Sequence, residues 1–417
     1  MKTNTDEIFD IIVIGGGPAG MMAAGRAAEL GRSVLLLEKN QDLGKKLLMT
    51  GGGRCNLTNN KQNIRELALS YKGSDQFLMS AFAQFDAAKT LEFFNGRGMK
   101  TKEEEYGRIF PVSDMSQTVL DVLEKYMKKG DVEIKTKSAV KNFSFDEKNK
   151  VFAVQLKNGD VFSAKSCVMA AGGMSHPETG SSGEGFDWLE KIGHKIIKTD
   201  ASLVPIAIKD GWVKKAAGLT LNDIKLTVFL DNKKQFMQKG KILFTHFGIS
   251  GPTVLNMSKD VGDLLYSGEV IIKLDLFPQL DLGALKNRLQ KILVEESNKK
   301  LKNTLGGLIS EALVPAILEI TEIDGETANH SVSHENRMKL VKYLKEMPMR
   351  VEGLLGPDKA IVSSGGVPLE EVNFKTMESR IVPGLFIVGD TLNINRPSGG
   401  YSLQLCWTTG YIAGNNA

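Results

Sequence analysis

Three glycines set the first chemical expectation. Gly15, Gly17 and Gly20 stand in the order G-x-G-x-x-G, after the β-branched run Ile8–Ile14 and before the Ala- and Met-rich stretch Met21–Leu30. With Pro18 and Ala19 between them, they allow a tight turn, close approach of backbone N–H groups to a pyrophosphate, and close helix–strand packing. The positive end of the following helix then faces the phosphates. Glu38 comes 18 residues after Gly20, closing a second apolar run, Ser33–Leu37. A carboxylate there can accept hydrogen bonds from ribose hydroxyls. It favours an unphosphorylated ribose, hence FAD or NAD over NADP.

A second segment turns the reading to FAD. The apolar strand Gly384–Val388 ends in Gly389-Asp390, placing a carboxylate where a ribityl chain would run. Gly399-Gly400-Tyr401 can start a helix whose N–H groups face the pyrimidine end of an isoalloxazine and stabilise negative charge there. Two such segments bracketing the chain suit an extended FAD and suit NAD poorly. Residues 45–59 add Lys46, then Gly52, Gly53, Arg54 and Asn56, where flexible backbone can pass a flat ring and Arg54 can balance a pyrophosphate or a reduced flavin. Ala170, Ala171 and Gly172 are small residues into which another strand runs.

The candidates for chemistry beyond the cofactor are fewer. His246 is either an acid/base or orienting group, or the fixture of a turn. Arg396 either binds an anion, stabilises a reduced flavin, or lies on the surface. Tyr401 either stacks beside the ring or packs at a helix start. His330 and His334 have i, i+4 spacing, but no third ligand accompanies them and no metal is expected. Cys406 reads as a small apolar thiol, so the FAD is expected to be non-covalent. Gly180–Gly185 follows no buried strand and has no partner acid. With no second dinucleotide unit, NAD(P)H as electron donor would dock only transiently.

The elements that must position these residues follow from periodicity. Ile8–Ile14, the helix to Leu30 ended by Gly31, and Ser33–Leu37 form a βαβ unit. Phe82–Phe94 and Met115–Met127 repeat at helical spacing. Lys150–Leu156 and Val161–Val168 flank the turn Asn158-Gly159-Asp160 as a hairpin. Ala201–Ile208, Ile224–Leu230, Gln235–Phe244 and Val270–Leu276 read as strands of a separate β domain. Leu282, Leu285, Leu289, Ile292 and Leu293 lie on one helical face. The class is α/β: a discontinuous Rossmann-like FAD-binding domain (1–195 and 359–417), an inserted β domain (196–278 and 348–358) and a helical subdomain (279–347).

Composition bounds the rest. The 417 residues are 42% hydrophobic and 24% charged, the balance of a soluble globular chain rather than a disordered one. Fifty-three Lys and Arg against 49 Asp and Glu give a net charge of only +4, and the basic pairs are scattered, so no nucleic-acid footprint is expected. Three cysteines without C-x-x-C exclude a disulfide framework and a thiolate zinc site. No apolar run is long enough to span a bilayer and the acidic start is no secretory signal, so the expectation is a cytoplasmic protein without membrane contact.

The chain resembles the HI0933-like (BaiN/RdsA) family of bacterial NAD(P)/FAD-dependent oxidoreductases, which includes aminoacetone oxidase. The resemblance is carried by VIGGGPAGMMAA, GKKLLMTGGGRCNLTN, EEYGRIFPVSD, LFTHFGISGP and GGYSLQLCWTTGYIAG, among stretches running from residue 12 to 414. It implies that the inserted domain is β-barrel-like, and that FAD is held at Gly15, Gly17, Gly20, Glu38, Lys39, Arg54, Asn56, Val140, Ala171, Gly172, Asp390, Gly400 and Ser402, with Ala170 a neighbouring candidate and Val140 lending backbone atoms to the adenine. The family's flavin-facing segment reads Gly-Glu, then Asp-x-x-Gly-x-Thr-Gly-Gly-Tyr-Asn. This chain has Gly389-Asp390, then Arg396-Pro397 and Ser402 within that motif. The expected activity is hydride transfer between flavin N5 and a small or medium organic substrate held between the flavin and the inserted domain. The alternatives are an amine oxidase using O₂ and a flavoprotein whose structural or sensing FAD serves RNA or protein binding.

Overall fold

A computed structural model of the chain describes residues 8–61, 63–71, 73–197, 201–355, 362–363 and 365–417. The chain divides into two units, Met1–Ala201 with Pro357–Ala417, and Ser202–Gly356. The expected boundary at 358/359 lies outside the described residues.

β1 (Ile8–Ile14) is central to the first unit because both its faces are apolar; Ile11, Ile12 and Val13 have no exposed surface. Such strands belong in parallel sheets covered on both sides. α1 (Pro18–Glu29) crosses over to β2 (Val34–Leu37), which pairs with β1 in parallel, Ile11 opposite Val34. The helix starts at Pro18, three residues before the expected Met21, because a proline's fixed φ and missing N–H suit the first helical position. β3 (Glu133–Lys135) extends the sheet beyond β2. β4 (Val140–Asp146), β5 (Val151–Leu156) and β6 (Val161–Met169) form antiparallel hairpins, and β6 returns beside β1 with Met169 opposite Ile14. The helical period over Phe82–Phe94 is carried by two helices, Asp75–Gln84 and Ala87–Asn95. Asp86 divides them, its carboxylate capping the second by accepting the Lys89 N–H at 2.9 Å. α2 (Glu184–Lys191) follows β6.

The second unit is a closed barrel. β7 (Ile206–Ile208), β8 (Thr220–Leu230), β9 (Lys233–Thr245), β10 (Gly248–Ser250), β11 (Val270–Asp275) and β12 (Met347–Leu354) close in the order β7-β10-β9-β8-β11-β12. Register explains the filling: Val228 lies opposite Ile272 and Ile272 opposite Met349, all three buried on the inward face. The expected strand Ala201–Ile208 is broken around Pro205, which has no N–H for a ladder. Between β11 and β12 run α3 (Leu282–Glu295), α4 (Leu301–Leu308), α5 (Val314–Thr321) and α6 (His334–Lys345). Leu285, Leu289 and Leu293 of α3 share one apolar cluster with the barrel interior. The buried Asp275 carboxylate is neutralised by Lys225 and Lys345, each at 2.8 Å, and Lys345 also donates to the carbonyls of Phe277 and Leu280.

The chain then returns to the first unit. β13 (Leu385–Ile387) pairs in parallel with the end of β6. A buried hydrogen-bonded clip secures the approach to it: Ser379 Oγ meets His194 Nε2 at 2.9 Å and His194 Nδ1 meets Glu371 at 2.7 Å. The order is that of a hydrolytic relay, but Ser379 Oγ also accepts the N–H groups of Ile381 and Val382, so the hydroxyl is saturated and buried. The closing helix α7 (Tyr401–Asn416) packs on α1. A Cβ on Gly410 would lie 2.4 Å from the Ala19 oxygen, and one on Gly414 would lie 2.5 Å from the Ala23 oxygen. Since 19 matches 410 and 23 matches 414, the two helices run parallel. The α/β class, with a discontinuous Rossmann-like unit and a barrel inserted in it, is thus the architecture observed. Among the described residues no helix is long and apolar enough to cross a membrane.

The helix seam gives a stability prediction. Gly410→Val should destabilise the protein by about 1–3 kcal/mol, the usual cost of overpacking. Gly17→Ala, where a Cβ meets nothing within 4 Å, should stay within about 0.5 kcal/mol of wild type. Urea unfolding of the two variants checks this.

Candidate functional site

The glycine turn separates into two kinds of position. At Gly15, φ is +109° and a Cβ would come within 2.4 Å of the Ala170 oxygen; at Gly20 a Cβ would come within 1.9 Å of the Gly15 oxygen. These two let β6 and α1 close onto the turn. Gly17 has ordinary backbone angles, φ −80° and ψ −179°, and a Cβ there would point into open space. It borders an open cleft. The first N–H groups of α1 have no intrahelical acceptors and carry the positive end of the helix dipole.

The cleft lies beyond the C-terminal ends of the parallel strands, where open α/β sheets bind ligands. Gly15, Gly17, Pro18 and Ala19 line it with Glu38, Lys39 and Asn40 after β2, Ala170, Ala171 and Gly172 after β6, Asp390 after β13, and Val140 at the start of β4. Glu38 is buried and braces the turn: one carboxylate oxygen accepts the Gly16 N–H at 2.8 Å, and the other accepts two N–H groups of Asn40 at 2.7 Å. Opposite the turn runs the segment Ser175–Glu184. Lys39 reaches Ser182 at 2.8 Å and Glu184 at 2.7 Å, the Asn40 amide donates to the Thr179 carbonyl, Lys45 donates to the Glu178 carbonyl, and Lys46 reaches Ser175. The Lys39 ammonium holds the Glu184 carboxyl below the usual carboxylate range. Burial pushes the Lys46 ammonium down, and nearby Asp390 opposes that shift.

A second group of expected residues gathers at the start of α7 and does not line the cleft. Gly399 and Gly400 have φ of +115° and +100°, and a Cβ on Gly400 would lie 2.4 Å from the Thr58 carbonyl. The Asn59 amide donates to the Gly399 oxygen at 3.1 Å. Asn56, its carbonyl oxygen turned toward Gly400, accepts that residue's N–H at 3.0 Å. Tyr401 is buried edge-on against Tyr71, whose hydroxyl donates to the Tyr401 oxygen at 2.8 Å. Arg396 is not a surface residue: its side chain has no exposure and it pairs with Asp390. Its Nη1 donates to the Ile394 oxygen at 2.7 Å and its Nε to Ser402 Oγ at 3.1 Å. Gly52 and Gly53 are exposed in an open loop. Arg54 is paired with Glu104 and Asp114, its guanidinium 4.2 Å over the Phe110 ring. Gly389 stands behind Asp390, against Ala19 and Cys406.

His246 is exposed in the second unit, and its turn is held by Thr245, which both donates to and accepts from Gly248. His330 sits in a short 3₁₀ turn and His334 opens α6, so the two do not share a helix. Among the described residues no cluster of three or more His, Cys, Asp or Glu could hold a metal ion.

Sequence reasoning missed Asn40, Ser138, Thr179, Ser181, Ser182 and Trp188, which also line the cleft. The signal for Ser181 and Ser182 was the run of Gly and Ser after Thr179, discounted because it does not open a helix after a strand. The helix register sets the spacing between the two groups. Tyr401 precedes Gly410 by nine residues, so α7 begins roughly 14 Å beyond the N-terminal turn of α1. Two parallel helix N-termini, offset along one direction, match an extended dinucleotide with phosphates at one and a ring at the other. The residues present therefore fit FAD.

The family model described as the HI0933-like protein Rossmann domain matches residues 9–416. This chain belongs to that family. It is 32% identical over 409 residues, 97% of its own length and 98% of the relative's, to the 3-dehydro-bile acid delta(4,6)-reductase of Clostridium scindens. It is 31% identical over 405 residues, 97% of each chain, to the ribosomal RNA dihydrouridine synthase of Escherichia coli. Among solved structures it resembles a flavocytochrome c3 fumarate reductase with a TM-score of 0.53 and 16% identity, covering 99% of this chain and 78% of that one. That likeness concerns the fold. The HI0933-like chain is an FAD-dependent oxidoreductase by family, and it uses a Rossmann-like unit for its cofactor.

Cys406 lines the cleft, and burial pushes its thiol up to about 12; Cys55 is likewise raised to about 12, and Cys167 is raised too. The native protein at about pH 8 should therefore be inert to iodoacetamide, since the thiolate is the nucleophile. Unfolding should expose all three thiols. Mass spectrometry before and after denaturation checks this. Acid precipitation should release the flavin completely, as a thiol held protonated does not support a cysteinyl link.

Proposed function

We propose that this flavoenzyme holds FAD non-covalently in the cleft and uses it to saturate a carbon–carbon double bond conjugated to a carbonyl. The observation that carries the reaction is a property shared by the two relatives described above, each matched over nearly its whole length. Their names describe reduction of a double bond in a 3-oxo bile acid and of the ring double bond of uracil. Both bonds are polarised by a carbonyl, which makes the β-carbon a hydride acceptor.

Bound in this cleft, FAD supplies a two-electron carrier that can deliver hydride to such a carbon. The chain supplies binding, orientation and charge. The N-terminus of α1 with Gly17 faces the pyrophosphate, and the fit is supported by the open space at Gly17. Glu38, which braces the turn through Gly16, would meet the ribose, and Val140 on the cleft wall would meet the adenine. Asp390 stands toward the ribityl chain, and the N-terminus of α7, with Gly399, Gly400 and Ser402, offers its positive end to the pyrimidine side of the ring. The electron donor in this reading is NAD(P)H, docking transiently. The substrate is either a small enone or, following the second relative, a uracil base in RNA.

Gly17→Asp tests the cofactor placement. It puts a carboxylate where the phosphates belong without a clash, so the purified variant should lose its flavin and keep the melting temperature of the wild-type apo-protein. Full flavin content in Gly17→Asp would refute the placement. For the reaction, the NADPH-reduced enzyme should be reoxidised anaerobically by a steroid enone, or by a uridine-containing RNA with dihydrouridine formed. If neither reoxidises it and amines bleach the oxidised enzyme instead, the reductase reading fails.

A further inference from the structure

One side chain joins the two groups of residues described above. Arg396 has no exposed side-chain surface, and each guanidinium nitrogen serves a different stretch of chain. Nη2 holds the Asp390 carboxylate, Nη1 donates to the Ile394 oxygen at 2.7 Å, and Nε donates to Ser402 Oγ at 3.1 Å. Asp390 borders the cleft, whereas Ser402 is the second residue of α7. An arginine spent in this way has little left for a substrate anion. Its geometry instead fixes how a cleft carboxylate stands relative to a helix N-terminus.

We propose that Arg396 is a positioning residue for the cofactor, acting through Asp390 and Ser402. The proposal rests on the reading of the cleft as the FAD site. Aspartate is a short side chain, and a carboxylate with one oxygen on a rigid guanidinium fork cannot turn freely. Arg396 also balances the Asp390 charge. Removing it leaves a mostly buried anion beside the cofactor and frees the first turn of α7.

The test is a double-mutant cycle on apo-protein reconstituted with FAD, with affinity read by flavin fluorescence and the midpoint potential by dye-coupled reduction. Arg396→Met should weaken FAD binding by about tenfold or more, as loss of hydrogen bonds to a charged group does. It should also lower the potential, because the uncompensated Asp390 charge opposes electron uptake. Arg396→Met with Asp390→Asn should bind FAD no more weakly than the worse single variant, and its potential should return toward wild type. A purely structural role would move affinity without that reversal.

Arg396→Met within about twofold of wild type in affinity and unchanged in potential would overturn the proposal, as would single-variant effects that multiply in the double. If Arg396→Met does not fold, Ser402→Ala and Arg396→Lys carry the same comparison: each should weaken binding, and wild-type affinity in both would overturn it. If wild type binds no FAD, or Gly17→Asp binds it equally well, the reading of the cleft fails and this proposal fails with it.

Discussion

The constraint on which the cofactor unit depends is a backbone-to-backbone contact. α1 and α7 approach so closely at Ala19 and Gly410, and again at Ala23 and Gly414, that no side chain fits between them. This explains the composition of α1, PAGMMAAGRAAE, better than helix propensity does, since a small-residue face is what the seam requires. The seam also sets a direction. It makes the helices parallel, so their positive ends point the same way, and its register places the start of α7 beyond that of α1. The β1–β6 pairing and the turn at Gly15 then bring strand ends, glycine turn and Glu38 to the same edge.

That arrangement governs the charges. It sets three carboxylates, Glu38, Glu184 and Asp390, among three lysines, Lys39, Lys45 and Lys46, with the Arg396 guanidinium on Asp390 and the positive ends of two helices nearby. It also explains why buried polar groups are tolerated here: Glu38 satisfies the Gly16 N–H, and Arg396 places its donors on three acceptors. Arg54 serves differently. It makes half-buried ion pairs with Glu104 and Asp114 and is not part of the cleft wall.

What the sequence made legible was local in character. The βαβ unit could be read because strand, glycines, helix and acid lie within about thirty residues and each has its own period. Asp390 could be read for the same reason, at the end of a short apolar strand. Barrel closure could not, because it depends on β7 meeting both β10 and β12, pairings that no local pattern encodes. The split at Asp86 was hidden because the apolar spacing continues across it. The Asp390–Arg396 pair spans only six residues, yet its side chains meet because the intervening turn folds back, which residue types alone do not dictate. Val140 entered only through resemblance, and the structure sets it on the cleft wall. The Ser175–Glu184 segment was discounted as a dinucleotide turn, and its place on the cleft wall depends on contacts with Lys39, Asn40, Lys45 and Lys46, distant in sequence.

The central claim is an orientation: phosphates at α1, ring toward α7, adenosine toward Glu38 and Val140. A crystal structure of the protein with FAD bound tests it most directly. The account predicts pyrophosphate oxygens within hydrogen-bonding distance of the backbone N–H groups at Gly17 and Ala19, a ribose hydroxyl on Glu38, and the isoalloxazine beside Asp390 and Gly400. FAD bound in the reverse sense, with adenine at Asp390, or bound away from the glycine turn altogether, would contradict it.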